Sequence, residues 1–437
     1  MLAVVREGDP AFDVRLRALE ARGADDLSAV EPAVRSILDD VRARGDAAVL
    51  DACERFERRR PSPLCRAFDA ELGQRALERL APDARHALEL AADRIRSFHQ
   101  RQREAGEKPF AYTDAGALLG TRIQPLPRAG VYAPGGKARY PSSVLMSAIP
   151  ASVAGVRDIV LATPLAGDAA DDALLAAAHL SGVSRILDAG GAQAIGALAF
   201  GTESVPRVDV VVGPGNIYVA CAKRLVSGHV KIDGIAGPSE ILVVADESAD
   251  AAVVAADLLS QAEHDEAAYP LLLTSSEPLA LAVARELDVQ LAALPRRAIA
   301  EASVRNQGVA LVVTEHDARR KLAAIADRIA AEHLALHVTD PDAMLDHIGA
   351  AGAAFIGSST PEAVGDYVAG PSHVLPTGGA VRFGAPLGVY DFVRRTSIVR
   401  YDRATLATQA DAITTLARLE GLEAHARAVE VRMRKEG

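Results

Sequence analysis

The sequence predicts an α/β protein made of two α/β domains in tandem, and three observations carry that expectation. From about Thr121, short runs of Val, Ile and Leu end in glycine and alternate with alanine-rich helical stretches, the texture of a parallel sheet with crossover helices. The same alternation starts afresh at Ile241. The chain of 437 residues is also long enough to bury two or three separate cores.

In chain order, residues 1 to about 108 read as charged amphipathic helices. Between Val34 and Phe56, the residues Val34, Ile37, Leu38, Val41, Ala48 and Val49 are spaced for one helical face, with Gly45-Asp46 as a break point. Arg85 to Lys108 reads as a helix with a solvated face. Candidate strands follow at Asp158–Ala162, Ser184–Asp188 and Val208–Val212, each leading into Gly, Pro or Asn, where strand-end loops carry ligand contacts. In the second block, strand-like Ile241–Ala245 leads to helix-like Ala249–His264. Strand-like Leu271–Thr274, a helix near Ala280 and strand-like Ala310–Thr314 complete it. After about Phe383 the alternation stops, and Ala404–Arg434 reads as a mostly helical tail of the kind that packs on another subunit.

Composition narrows the function. Hydrophobic residues at 49% and charged residues at 24% are those of a globular protein, and no apolar run is long enough to cross a bilayer. The net charge of -10 disfavours a nucleic-acid surface, and Arg58-Arg59-Arg60 reads as a solvated turn before Pro61. Charges throughout the first twenty residues leave no secretory h-region, so a cytoplasmic location is expected. Cys53, Cys65 and Cys221 are odd in number and lack C-x-x-C spacing, which argues against a disulfide framework or a thiolate zinc site.

Several polar constellations stand out against this background. Gln261 and His264 lie three residues apart in a helix-patterned run and so share a face, as in a metal site or a polar substrate pocket. Gly213-Pro214-Gly215-Asn216 follows a strand and precedes a helix, the setting for a phosphate on a helix N-terminus. As a dinucleotide fingerprint it is weak, because Tyr218 replaces the third glycine, and a tight strand-to-helix turn is the commoner reason for it. Gly190-Gly191-Ala192-Gln193 ends the preceding strand similarly, so the two loops point to one crevice.

The loop from Tyr132 to Gly136, with Tyr140-Pro141, suits either a flat ring or a structural turn. Ser239, in Gly237-Pro238-Ser239-Glu240, is placed to donate to substrate or to cap a turn. Glu332-His333 sets an acid beside an imidazole in apolar sequence, where burial raises a carboxyl pKa toward neutrality. Helical geometry would aim those neighbours about a third of a turn apart. Asp366 and His373 are further candidates. Glu420 and His425 would diverge by roughly 140° on one helix, so spacing alone does not pair them.

In this order the segments resemble the histidinol dehydrogenase family. The resemblance runs over nearly the whole chain, from Asp40–Asp46 through Gly130–Gly136, Gly190–Ile195, Gly213–Asn216, Ala236–Glu240, Ser260–His264, Glu332–Leu334, Gly365–Tyr367 and Glu420–Leu422 with His425. It implies an aldehyde-dehydrogenase-like fold of two tandem incomplete Rossmann-like domains, 121–236 and 237–382, with a helical N-terminal region, 1–120. A C-terminal helical tail, 383–437, would be exchanged in a homodimer.

By position, the family's zinc ion, one per subunit, matches Gln261, His264, Asp366 and His425 of the partner subunit. Contacts to the substrate L-histidinol match Ser239, Glu332, His333, Asp366 and Glu420 together with the zinc ligands, and NAD is met at Tyr132, Gln193 and Asn216. His333 would be the base and Glu332 the activator of water, in the oxidations that end histidine biosynthesis. Three departures stand out: Ala331 replaces a proline before the acid, Ala335 replaces an acid after the leucine, and Gly234 replaces a methionine, loosening the approach to Ser239. The competing readings are a related zinc alcohol dehydrogenase acting on another polyol and a metal-dependent hydrolase. Absence of H-E-x-x-H weighs against the second.

Overall fold

The apolar runs become central strands of parallel sheets, covered on both faces and therefore apolar along their whole length. Glu240–Ala245 is the clearest case, with all six residues buried. The computed structural model describes residues 2–22, 27–135, 139–314 and 318–434. These divide into two units, one of residues 1–101 with 126–392 and one of residues 102–125 with 393–437.

The first unit holds two six-stranded sheets. One runs Cys65–Ala67, Arg185–Leu187, Asp158–Ala162, Arg128–Tyr132, Val210–Val212, Lys231–Ile232. The other runs Ala3–Arg6, Val309–Val312, Tyr269–Thr274, Glu240–Ala245, His333–His337, Ala353–Ile356. In each, the chain leaves a central strand in one direction and later returns to its other side. A switch point therefore falls beside Arg128–Tyr132 in the first sheet and beside Glu240–Ala245 in the second.

The N-terminal region is mainly helical, and it also lends an edge strand to each sheet. Ala3–Arg6 pairs parallel with Val309–Val312, and Cys65–Ala67 pairs antiparallel with Arg185–Leu187. Both are too short to show a period in sequence. The expected break at Gly45 is present: its φ of 58° is left-handed, and it separates the helices Glu31–Arg44 and Asp46–Glu57.

The helix Ala251–Ala262, capped by the Asp250 carboxylate on the Ala252 N–H, runs back against the strand it follows. Its last turn thus returns to the amino ends of the second sheet's strands. Leu258, Leu259 and Ala262 pack into the same core as Ile241, Val243 and Ala335.

The second unit is an antiparallel sheet, Val393–Arg400 on Ala117–Pro125 on Phe110–Asp114, with two helices, Arg403–Leu419 and Glu423–Met433. The tail reads as mostly helical over 404–434, and Arg403–Leu419 and Glu423–Met433 are the helices found there, but the segment ahead of them is not helical. Val393–Arg400 is instead a strand, hidden from hydropathy because seven of its eight residues are exposed. No helix among the described residues is long and apolar enough to cross a membrane.

Candidate active site

Gln261 occupies the last turn of its helix, fully buried, and His264 lies just beyond, exposed. With its NH2 turned toward the acceptors around it, the Gln261 amide donates to Glu362 Oε1 at 3.0 Å and to the Glu240 carbonyl at 3.2 Å. The opposite orientation would set its oxygen against both Glu362 oxygens and the Glu240 carbonyl, with His333 Nδ1 at 3.1 Å the one nitrogen among its neighbours, so the amide oxygen is the atom left for a ligand.

Ligand atoms of His264, Glu362 and Asp366 lie within 4.8 Å of one another. Glu362 and Asp366 stand one turn apart on the short helix Glu362–Tyr367. Burial, then the neighbouring Asp366 carboxylate, pushes the Glu362 carboxyl well above its ordinary range. Asp366 is raised by burial and partly restored by His264. Sequence reasoning missed Glu362, although an acid four residues before Asp366 on a helix is the signal that would have found it.

Glu332 and His333 are both buried and 3.6 Å apart, from His333 Nδ1 to Glu332 Oε2. Helical geometry does not apply here, because His333 opens a strand. The register pairs it with Ile241, which sets Glu332 level with Glu240. The main chain of one residue therefore serves both side chains: the Glu240 N–H donates to Glu332 Oε2 at 2.9 Å, and the Glu240 carbonyl accepts from His333 Nδ1 at 2.9 Å. A carbonyl has no proton to give, and although the Gln261 amide nitrogen also lies 3.1 Å from Nδ1, its two hydrogens are directed to Glu362 and the Glu240 carbonyl, so the hydrogen is assigned to Nδ1 and Nε2 is left bare.

Burial lowers the His333 pKa to about 4, keeping the ring neutral at pH 7. Burial, followed by the Glu240 carboxylate, raises the Glu332 carboxyl well above its usual range. Ser239 directly precedes Glu240 and is half-buried. His373 donates from Nδ1 to the Asp366 carbonyl at 3.1 Å, and burial lowers its pKa to about 4.

The other three candidates of this unit gather at the switch point of the first sheet. Tyr132 ends its central strand, and its hydroxyl accepts the Gly191 N–H at 3.1 Å. Gly213 has φ 114°, and a Cβ there would lie 2.1 Å from the Tyr132 carbonyl oxygen, so only glycine lets the two strand ends approach. Asn216 is the cap of the helix Ile217–Val226, its Oδ1 accepting from the Tyr218 and Val219 N–H groups. The strand-to-helix turn is thus built as the sequence suggested.

Gln193 is buried and donates to Glu57 Oε1 at 3.1 Å, and the same oxygen accepts the Gly190 N–H at 2.9 Å. Glu57, from a helix that showed no motif, therefore fixes this loop. Gly136, in the tyrosine-glycine loop, lies outside the described residues. Glu420 and His425 belong to the second unit, exposed at the end of one helix and the start of the next. The cluster in the first unit forms without them.

Glycine-bearing loops at the switch point of one parallel sheet, and a neutral imidazole beside a buried carboxyl group in the other, are the parts of an α/β oxidoreductase. Residues 20–433 match the family model described as histidinol dehydrogenase. The chain is 49% identical over 430 residues to the histidinol dehydrogenase of Dechloromonas aromatica, covering 97% of each. It is 48% identical to that of Syntrophotalea carbinolica, covering 99% of this chain and 100% of the relative. The crystal structure of histidinol dehydrogenase from Elizabethkingia anophelis superposes with a TM-score of 0.88 at 32% identity, over 99% of this chain and 98% of that one. The chain belongs to the histidinol dehydrogenase family.

Proposed function

We propose that the protein oxidises L-histidinol to L-histidine in two steps, with two NAD reduced and a divalent zinc ion at Gln261, His264 and Asp366. The observation that carries this reading is the grip of the Glu240 main chain on Glu332 and His333, which leaves a bare imidazole nitrogen and an oriented carboxylate at the edge of a cluster of nitrogen and oxygen donors.

The donor set fits zinc: one imidazole, one amide oxygen presented by the Gln261 orientation, and carboxylate oxygen, all without thiolate. When bound, the ion supplies a Lewis-acid anchor for the amine and imidazole nitrogen of the substrate. NAD, which would supply the hydride acceptor, is assigned to Tyr132, Gln193 and Asn216, whose loops lie at neighbouring strand ends beside the switch point of the first sheet.

The residues of the chain then divide the proton chemistry. In the first oxidation His333 Nε2 takes the hydroxyl proton of the alcohol as a hydride leaves its carbon, giving the aldehyde. Glu332 next takes a proton from water as the oxygen adds to the aldehyde carbon, and loss of the second hydride from that hydrate gives the carboxylate. Each hydride leaves an oxidised carbon and one reduced NAD, so two NAD and one water are consumed per histidinol. A raised carboxyl pKa brings Glu332 closer to that of the proton it must accept.

The site is completed in a homodimer by Glu420 of the partner subunit and His425 of the partner subunit. Exposed apolar side chains around the same helices, including Leu416 and Leu419 at 61% and 77%, support burial against a second copy. A cytoplasmic location fits three free thiols, Cys53, Cys65 and Cys221.

The test is NADH formation and metal content on the purified protein. The expected result is two NADH per histidinol and one zinc per subunit. NADH formation from another alcohol, with none from histidinol, would reject the substrate.

A further inference from the structure

The residue whose main chain grips both Glu332 and His333 is itself held by a buried ion pair that no role yet covers. Arg22, at the end of the helix Pro10–Ala21, sends its guanidinium into the base of the second sheet, where its side chain and that of Glu240 are each 1% exposed. The pair is bidentate, Nε to Oε1 at 2.7 Å and an Nη to Oε2 at 2.6 Å. The remaining donors go to main chain: the Leu19 carbonyl at 2.5 Å, Ile329 at 2.7 Å and Ala330 at 3.3 Å.

The Glu240 carboxylate reaches two further segments. Its Oε1 accepts the Gly378 N–H at 2.8 Å, and its Oε2 accepts the Glu332 N–H at 3.3 Å. Arg22 therefore holds the carbonyls just before the catalytic pair, and Glu240 holds the N–H of Glu332 itself. Ala330, whose φ of 51° is left-handed without being glycine, lies inside this clamp.

A desolvated ion pair is a costly way to gain stability, since apolar side chains of the same volume often do as well or better. What this pair achieves beyond stability is geometric. Arginine's planar fork fixes the orientation of the Glu240 carboxylate and the path of residues 329 to 332 together. The Glu240 main chain then presents its N–H to Glu332 and its carbonyl to His333.

We propose that Arg22 and Glu240 are positioning residues for the catalytic pair: by fixing the Glu240 main chain they hold His333 in the tautomer with Nδ1 protonated and Nε2 bare, and hold Glu332 oriented for water. This rests on the roles given to Glu332 and His333 above.

The experiment compares Arg22→Lys and the charge-free double variant Arg22→Met/Glu240→Gln with the unsubstituted protein. Lysine retains the charge but loses the fork, and the double variant removes both charges together, so whichever of the two folds decides the matter. In histidine-labelled 15N spectra, with the His333 signal identified by its loss in His333→Asn, the unsubstituted protein shows Nδ1 protonated and Nε2 bare. Arg22→Lys is expected to show tautomer exchange at His333. It should also lose about 10- to 100-fold in kcat for histidinol, with KM changed by less than about threefold.

A folded Arg22→Lys with the single tautomer and undiminished kcat would overturn the proposal, leaving the pair a purely structural bridge. If the unsubstituted protein does not turn over histidinol while the tautomer responds to Arg22, the substrate reading fails and the positioning role stands.

Discussion

Acid should destabilise this protein through His333, by an amount the structure sets. The folded ring has its pKa lowered from 6.5 to about 4 by burial, whereas the unfolded chain titrates near the ordinary value. Between those two values the unfolded state binds a proton that the folded state refuses. Stability is therefore complete above pH 6.5 and is lost as pH falls toward 4. The whole effect is about 3 kcal/mol, of which about 2 kcal/mol is gone by pH 5.

The perturbation that isolates it is His333→Asn, which keeps a polar group of similar reach and cannot titrate. Urea unfolding of the metal-free protein at pH 7.5 and pH 5 gives the stability difference between the two proteins at each pH. That difference should move by about 2 kcal/mol against the unsubstituted protein on acidification. A difference independent of pH would mean that the ring is not held neutral by burial, and the account of Nε2 as a ready base at neutral pH would fail with it.

Three further outcomes follow from the site. Glu332→Gln should slow oxidation of the aldehyde more than oxidation of the alcohol, because only the second step needs activated water; single-turnover NADH formation from each substrate checks this, and equal losses would remove that role. Glu362→Ala should weaken zinc retention by about 10- to 100-fold in dialysis against a chelator, since it removes the acceptor that orients the Gln261 amide. Mixed dimers of His264→Asn with His425→Asn should regain activity if each site draws on both subunits, whereas heterodimers that form and stay inactive would refute the shared site.

How much of this was legible in sequence depended on whether the signal was local. Parallel strands such as Glu240–Ala245 announce themselves because both faces are buried and every residue is apolar or paired. The tail strand Val393–Arg400 is exposed on nearly every residue and carries no such signature. Gln261 and His264 were found because helical spacing is a local rule. Glu57, Arg22 and Glu240 act at separations of 133 and 218 residues, from Glu57 to Gly190 and from Arg22 to Glu240, and no pattern within one element reveals them.

The same limit explains the error over Glu332 and His333. Read as helix, the neighbours diverge. Read as the first residues of a strand in register with Ile241, they meet at the main chain of a single residue, Glu240, and only the pairing of two strands 92 residues apart creates that meeting. The residue types at this site are thus written locally, while the protonation state of the base is written in the sheet: it depends on which carbonyl faces Nδ1, and that carbonyl belongs to another strand. A substitution that shifted the register by one residue would leave every named side chain in the sequence and remove the hydrogen bond that makes His333 a base.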